Sequence, residues 1–363
     1  MNKLYKYRPL SEFLFKELYY QELYFASYLE LNDPLDLSAR IEFTTSNINA
    51  IEHLIRFIFS VQFELRETDS EKQSLSKLLK FIKDRKAIEI LRDEIFEKVK
   101  NEIQKKKLLW TSNIVEIIEN SIESTKTDIL FNSEKFKEEI HRLTEKFLKS
   151  SYVTCFSETN DDFLMWSHYS SKHTGICIEF TMENDNMFPY ERARNEYSRD
   201  RKHDLDKYKS RMSEWEAKSF IFWDNIRKVV YQDEQPFINF FDFAAVFENE
   251  YDCDLIGLSK SWTHKYAHEL ELVFSTKTKH WKYENEWRAI EINFDKQKEP
   301  EARIRHYPIE SVSAIYFGVH TPETIRNRIF KILNNKADKI KFFETKFNGT
   351  SEIEFEPWEY FEE

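Results

Sequence analysis

Four glycines, Gly175, Gly257, Gly318 and Gly349, serve the whole 363-residue chain. Average usage would supply roughly 25. Glycine lets the backbone approach a phosphate closely or turn through positive φ without steric cost, so its scarcity closes off whole classes of fold. A dinucleotide-binding fingerprint needs three glycines within six residues, and a P-loop needs two in a similar window. The four here stand far apart. A Rossmann dehydrogenase, a P-loop ATPase or GTPase and a Gly-loop kinase are therefore excluded. Turns must rest on segments such as Asn32-Asp33-Pro34, where the residue before proline avoids the helical region.

The rest of the composition admits an ordered core. Hydrophobic residues make up 41% and aromatics 16%, whereas disordered chains lack aromatics. A net charge of −11 opposes nonspecific nucleic-acid binding. Cys155, Cys177 and Cys253 form no Cys-x-x-Cys pair, which fits a reducing compartment better than a disulfide framework. The first residues carry no apolar signal core, and no apolar run is long enough to cross a bilayer. A cytoplasmic location without membrane association is the expectation.

Leu4 to Arg8 and Leu23 to Ser27 read as strands on either side of a short helix that Ser11 can cap. Between 46 and 150 the pattern changes. Ile51, Leu54, Ile55, Ile58 and Phe59, then Leu75, Leu78, Leu79 and Ile82, recur at helical spacing with no Gly or Pro among them. Further helical segments read at 113–123 and 134–148. This predicts an all-helical insertion at 46–150, within a core domain made of 1–45 and 151–363. In that core, strands read at 152–156, 176–180, 229–231, 287–294, 312–317 and 339–345, and helices at 161–169, 237–251, 258–277 and 322–334. A charged, net basic stretch at 190–228 reads as a helix or an excursion. The expected fold class is α+β: a mixed, mainly antiparallel sheet with flanking helices and a large helical insertion.

Three clusters could carry chemistry. The densest runs from Cys155-Phe156-Ser157-Glu158 through Met165-Trp166-Ser167-His168-Tyr169 to His173-Thr174-Gly175. Its aromatics could stack on a planar ring while Ser157 and His168 hydrogen-bond it, or the same residues could simply form an aromatic helix docked on a sheet. The second is Trp281 to Arg288. Read as a strand, it sets Glu284, Glu286 and Arg288 on one face, which is costly in an apolar strand unless the charges are paired or used. An exposed edge with a Glu–Arg pair is the plain alternative. The third is Lys6, Tyr7 and Arg8 on the first strand, where Arg8 could fork a phosphate or carboxylate. His264 and His268 beside Glu269 have helical spacing but lack the Glu of a zincin, and His168, His173, Cys155 and Cys177 could only loosely gather around an ion. No metal site is expected. The chain also has no Gly-x-Ser-x-Gly elbow of a serine hydrolase.

Taken in order, Leu4-Tyr5-Lys6-Tyr7-Arg8, Leu23 to Ser27 with Leu31-Asn32-Asp33-Pro34, Cys155-Phe156-Ser157, Met165 to Tyr169, Gly175 to Ile178 and Tyr283 to Arg288 form a series. It resembles the bacterial domain-of-unknown-function family 2971, whose scatter through bacteria and mobile elements suggests phage defence or toxin action. The chain is also similar, more distantly, to ADP-ribosyltransferases, which bind NAD without a Rossmann glycine loop. They carry a basic or aromatic residue on an early strand, a middle Ser or Tyr motif and a late Glu-x-Glu. Here those would be Arg8 or Tyr7, Ser157 or Tyr169, and Glu284-x-Glu286, although the usual Ser-Thr-Ser motif is missing.

That resemblance implies NAD as substrate, for ADP-ribosyl transfer or NAD glycohydrolysis. Glu286 would hold the ribose and offset oxocarbenium charge, and Glu284 would orient or deprotonate the acceptor. Lys6, Tyr7, Arg8, Ser157, Trp166, His168, Tyr169 and Arg288 would bind the cofactor. The acceptor would be a macromolecule, protein or nucleic acid, and the helical insertion could support self-association. Two other readings stand beside it: a non-catalytic module that senses a nucleotide or a partner, and a metal-dependent nuclease using Glu158, Asp161, Asp162 and His168. The enzyme reading expects Arg8, Ser157 or His168, and Glu286 to line one cleft. A glutamate pair pointing into bulk solvent would count against it.

Overall fold

A computed structural model describes residues 3–63, 84–105, 107–127, 131–149, 151–181, 226–243, 272–292, 299–334, 339–350 and 352–360. From the N-terminus these form β1 (Lys3–Arg8), α1 (Glu12–Tyr20), β2 (Glu22–Tyr24), β3 (Ala26–Ser27) and β4 (Arg40–Glu42). Four helices follow: α2 (Ile48–Phe63), α3 (Arg85–Gln104), α4 (Thr111–Thr125) and α5 (Ser133–Lys149). Next come β5 (Ser151–Ser157), α6 (Phe163–Tyr169), β6 (Ile176–Thr181), β7 (Ile226–Lys228), β8 (Val230–Gln232), β9 (Phe237–Asn239) and α7 (Phe240–Phe243). The C-terminal part holds β10 (Thr276–Thr278), β11 (Glu286–Ile292), β12 (Ile304–His306), β13 (Val312–Phe317), α8 (Glu323–Asn334), β14 (Lys341–Phe347) and β15 (Ile353–Pro357).

The chain divides into two compact units. The first gathers 1–36, 150–234 and 275–363; the second gathers 37–149 and 235–274. The second thus draws on 235–274 as well as on the helical stretch between the early strands and β5.

The first unit is built on one nine-stranded sheet, in the order β15-β14-β13-β6-β1-β5-β11-β7, with β3 also pairing with β5. Most pairs are antiparallel; β13 and β14 run parallel, joined through α8. The class is α+β with a mixed, mainly antiparallel sheet, as the sequence predicts. Strand alternation sends Leu4, Ile178, Phe180 and Ile315 to one face, where Leu14 and Leu18 of α1 and Ile329 and Leu333 of α8 cover them. Each such side chain contributes about 1.5–3 kcal/mol by leaving water. Ser11 caps α1 by accepting from the Leu14 amide at 3.2 Å. On the opposite face Tyr7, Cys177 and Tyr316 pack against Met165 and Trp166 of α6.

The sheet has two local irregularities. First, one edge of β5 is shared. β1 meets it at Ser157, and β3 meets it at Val153 and Tyr152. Residues 154–156 lie between these pairings with no strand beside them on that edge. Second, the ends of β1, β6 and β13 are drawn together by glycine. A Cβ on Gly175 would stand 2.1 Å from the Arg8 carbonyl oxygen, and one on Gly318 would stand 2.2 Å from that of His173. These glycines are required by close approach of backbone rather than by positive φ.

In the second unit, apolar stripes of α2, α3 and α4 meet through residues such as Leu54, Leu91, Ile95, Ile114 and Ile118. Phe43 stacks on Phe240 with ring centroids 4.7 Å apart, and Phe57 packs edge-on to Phe136 and Phe240. β4 and β9 form a short parallel pair.

Several elements differ from the sequence expectation. Helix α3 carries its buried Leu91, Ile95 and Val99 on so charged a background that the periodicity is easily missed. Residues 237–239, expected to open a helix, form a strand because they find Arg40–Glu42 as a partner. The end of the expected 258–277 helix is strand β10, paired with β8. β15 and β4 were not anticipated, being short and half polar. The expected segments at 75–82, 244–271 and 293–294, and nearly all of 190–228, lie outside the described residues.

Candidate functional site

The first unit holds a cavity of about 460 Å³ beside the shared edge of β5. Its lining comes from β1, β5, α6, the 28–36 loop region and the segment entering β11. Lys6, Arg8, Ser157, His168, Tyr169, Glu284 and Glu286 all line it. Residues far apart in the sequence, from 5–36, 153–169 and 277–286, therefore share one space, and the glutamate pair faces that space rather than bulk solvent.

The local build around the pair departs from the expected strand. Residues Lys279–Glu284 form a 3-10 turn, Asn285 adopts left-handed φ (43°), and β11 starts only at Glu286. Asparagine is one of the few non-glycine residues that tolerates this conformation. The turn does what a straight strand was expected to do: it brings Glu284 and Glu286 to the same space. Ser157 fixes it, its hydroxyl donating to the Glu284 carbonyl at 2.7 Å. The Glu158 amide donates to the Asn285 carbonyl at 3.0 Å.

The wall of the cavity carries a charge cluster with almost no exposure: Asp36, Lys277, Glu284 and Glu286 line it and Arg288 lies behind. Arg288 is fully buried and reaches Asp36 through Nη1 and Nη2, both at 2.6 Å. Its Nε and Nη2 reach Glu286 at 2.7 and 3.0 Å. Lys277 Nζ sits among three carboxylates: Glu284 at 2.6 Å, Glu286 at 3.3 Å and Asp36 at 3.6 Å. Tyr169 donates its hydroxyl to Glu284, and the Glu286 amide donates to the Tyr231 hydroxyl at 2.8 Å. Charges buried this deeply persist only when paired and hydrogen-bonded in this way.

The two carboxyls end up with opposite electrostatics. Burial pushes Glu284 up, the neighbouring negative Glu286 pushes it further, and Lys277 opposes both only in part, leaving a pKa of about 7. Burial also acts to raise Glu286, but the Arg288 guanidinium and then the Lys277 ammonium outweigh it and hold that carboxyl well below the usual range. The Cys155 thiol, hydrogen-bonded to Glu286, is pushed up by burial and then by that charge, so it stays protonated. A neutral-pH proton carrier thus stands beside a permanently ionised carboxylate.

Not every expected site residue serves the cavity. Trp166 is fully buried and donates its Nε1 to the Asn160 carbonyl at 2.6 Å, and it does not line the cavity. Its place is the core under α6, where it packs edge-on to Tyr7. Tyr7 lines the cavity, but its hydroxyl is committed to the Thr159 carbonyl at 2.9 Å. Arg8 does fork a carboxylate, and that carboxylate is the chain's own Glu17, with Nε at 2.8 Å. Arg288 lies behind the wall and positions Glu286. His168 is exposed and lines the cavity near Tyr283.

Sequence reasoning missed Asp36 and Lys277. Asp36 is one acid in a run of turn residues, and Lys277 fell within a segment read as helix. Only the need of Glu286 and Arg288 for counter-charges signalled that such partners existed.

Among the described residues no group of three or more His, Cys, Asp or Glu gathers as a metal site would require. Asp162 caps α6 through the Met165 amide, and Glu158 binds Trp287 Nε1 and Lys228. Among the same residues no helix is long and apolar enough to cross a membrane. His264 and His268 lie outside them.

Residues 165–289 match the family described as Protein of unknown function (DUF2971). The match takes in α6 from Met165 onward, Lys277, Glu284, Glu286 and Arg288 and leaves out Lys6, Asp36 and Cys155. No curated protein and no solved structure matches the chain.

Proposed function

We propose that the cavity is an active site that cleaves the nicotinamide–ribose bond of NAD, passing the ADP-ribosyl group to water or to a macromolecular acceptor. The observation that supports this reading is the pair of carboxyls, two residues apart, whose proton affinities are displaced in opposite directions. Breaking the C1′–N bond leaves positive charge on the ribose, and a fixed anion beside it lowers the barrier. Glu286, held ionised by Arg288 and Lys277, is that anion. The acceptor must lose a proton as it attacks, and a carboxyl with a pKa of about 7 is suited to take it at neutral pH. Glu284 is that base, and Tyr169, which hydrogen-bonds it, keeps it oriented. Tyr24, Asn32 and His168, which line the cavity, offer stacking surface and hydrogen bonds for the substrate. Service in phage defence or as a toxin belongs to the same proposal and rests on the family resemblance.

The test is release of free nicotinamide from NAD by the full chain, with and without candidate acceptors. Glu286→Gln and Glu284→Gln should each lower the rate by about 100-fold or more while the protein still melts cooperatively. Unchanged turnover in the Glu286→Gln protein would sink the assignment. One observation favours a second, non-catalytic reading: Glu286 is already saturated by Arg288, Lys277 and Cys155. Tight NAD binding with the nucleotide intact after long incubation would establish that reading instead.

A further inference from the structure

Lys6 is the one lysine of β1 that faces the gap on the shared edge of β5. Its Nζ donates to Thr154 Oγ1 at 2.7 Å and to the Cys155 carbonyl at 3.0 Å, and sits 5.1 Å from the centre of the Phe156 ring. The Cys155 carbonyl belongs to the stretch of β5 that neither β1 nor β3 pairs, so Lys6 supplies the donor a neighbouring strand would have given. All these partners are neutral. Among the described residues Lys6 has no carboxylate in salt-bridge contact, whereas Arg8 is paired with Glu17, Lys277 with three acids and Arg288 with two. Two of its N–H positions are taken, and the third valence is left for the cavity it lines.

We infer that Lys6 is a covalent attachment point for an aldehyde, forming a Schiff base with the opened C1 of an aldose in the cavity. Lys6 is half-buried, and Glu17 and Glu286 act on it only from beyond salt-bridge contact; a desolvated lysine without a direct ion pair is the form in which this residue acts as a nucleophile. Burial, and then the nearby Arg8, lower its pKa to about 8. Relative to an ordinary lysine this raises the fraction of free amine at pH 7 by roughly 300-fold. The Nζ lone pair attacks the carbonyl carbon, a C–N bond forms and the oxygen takes up a proton to give a carbinolamine. That hydroxyl then leaves as water, the proton coming from the Glu284 carboxyl in the same cavity, and an iminium remains. Addition of water reverses the sequence, so no oxidant or reductant is needed. The inference shares its cavity with the proposed NAD cleavage, where an opened ribose would present such a carbonyl, but it does not require turnover.

The experiment is reductive trapping. The full chain is incubated with ribose 5-phosphate and cyanoborohydride at pH 7, and the labelled positions are mapped by mass spectrometry over time. The stable secondary amine should appear at Lys6 at least about 10-fold faster than at exposed lysines such as Lys172 and Lys282, and it should be absent from Lys6→Arg. Because the wild-type map decides the matter, an unstable variant does not obscure it. Label spread over surface lysines with Lys6 not ahead would overturn the inference. Trapping at Lys6 with NAD left intact would keep the inference and remove the NAD reading; nicotinamide release with no trapping would do the reverse.

Discussion

Glu284→Gln turns the unusual electrostatics of the cavity into a stability measurement. In the folded protein this carboxyl titrates at about 7, against an ordinary 4.5. Between those values the folded state binds the proton more tightly than the unfolded state, so stability falls as pH rises. The favourable contribution is fully present below about 4.5 and is gone above about 7. The displacement is about 2.5 units, and one unit corresponds to about 1.4 kcal/mol, so the loss across this window is on the order of 3 kcal/mol. Glutamine cannot ionise, yet its carbonyl still accepts from Lys277 and its amide can meet the Tyr169 hydroxyl. The variant should therefore lack that part of the pH dependence. Urea unfolding at half-unit steps from pH 4.5 to 8.5 gives the stability of both proteins. The difference between them should shift by about 3 kcal/mol in favour of the variant as pH rises. Titrating groups remote from Glu284 cancel in the comparison, while Glu286 and Lys277, which face it, move with it. Parallel curves would refute the claim that Glu284 is a displaced carboxyl, and with it the role of proton carrier.

Asp36→Ala leaves the buried Arg288 with one of its two acids and should cost about 3 to 5 kcal/mol, read from the denaturation midpoint; a loss under 1 kcal/mol would show that Glu286 alone suffices. Gly175→Ala forces a methyl group against the Arg8 carbonyl and should cost about 3 kcal/mol or more. Gly349→Ala, where φ is +91° and nothing lies within 4 Å, should cost only about 1 kcal/mol, so equal thermal shifts for the two would contradict the packing argument. His173 is buried among Phe163, Trp166 and Phe347 with no hydrogen-bond partner on either ring nitrogen. Burial, and then His320, lower its pKa, so its contribution is present above about 6.5 and is lost as pH falls. His173→Phe should flatten the acid side of the melting-temperature profile, and an unchanged acid limb would argue that the imidazole is not the group responsible.

How much of this could be read from residues alone depended on where the determinant lay. Strands β1, β5, β6 and β13 announce themselves, because apolar runs between breakers report a buried sheet directly. So does α1, whose Ser11 cap is a local signal. The candidate site was legible in its acids and its arginine, since charges entering an apolar strand demand partners. Which partners could not be read. Asp36 and Lys277 are joined to Arg288 and Glu286 by tertiary folding alone. Trp166 misled for the same reason: a Trp two residues before a His looks identical in sequence whether it lines a cavity or floors it. The turn at Asn285 also escaped, since an asparagine permits left-handed φ without requiring it. Arg8 was read as a fork for a phosphate or a carboxylate of a ligand, and in the fold it forks the chain's own Glu17, nine positions away on α1.

Strand β1 has a consequence for how the protein is made. It leaves the ribosome well before β5 and β6, yet it lies between them in the finished sheet, where Tyr5 stands opposite Ser157 on one side and Glu179 on the other. At usual synthesis rates it must wait roughly 10 to 30 s for those partners, an unpaired edge on both sides all the while. Such edges are where nascent chains stick to one another. The sequence Lys3-Leu4-Tyr5-Lys6-Tyr7-Arg8 meets that hazard with three positive charges spaced along six residues. Two of them are later taken up by pairing, Lys3 with Glu179 and Arg8 with Glu17. Among the described residues Lys6 gains no such pairing, and the charge that keeps the nascent strand apart from its neighbours becomes the amine left facing the cavity.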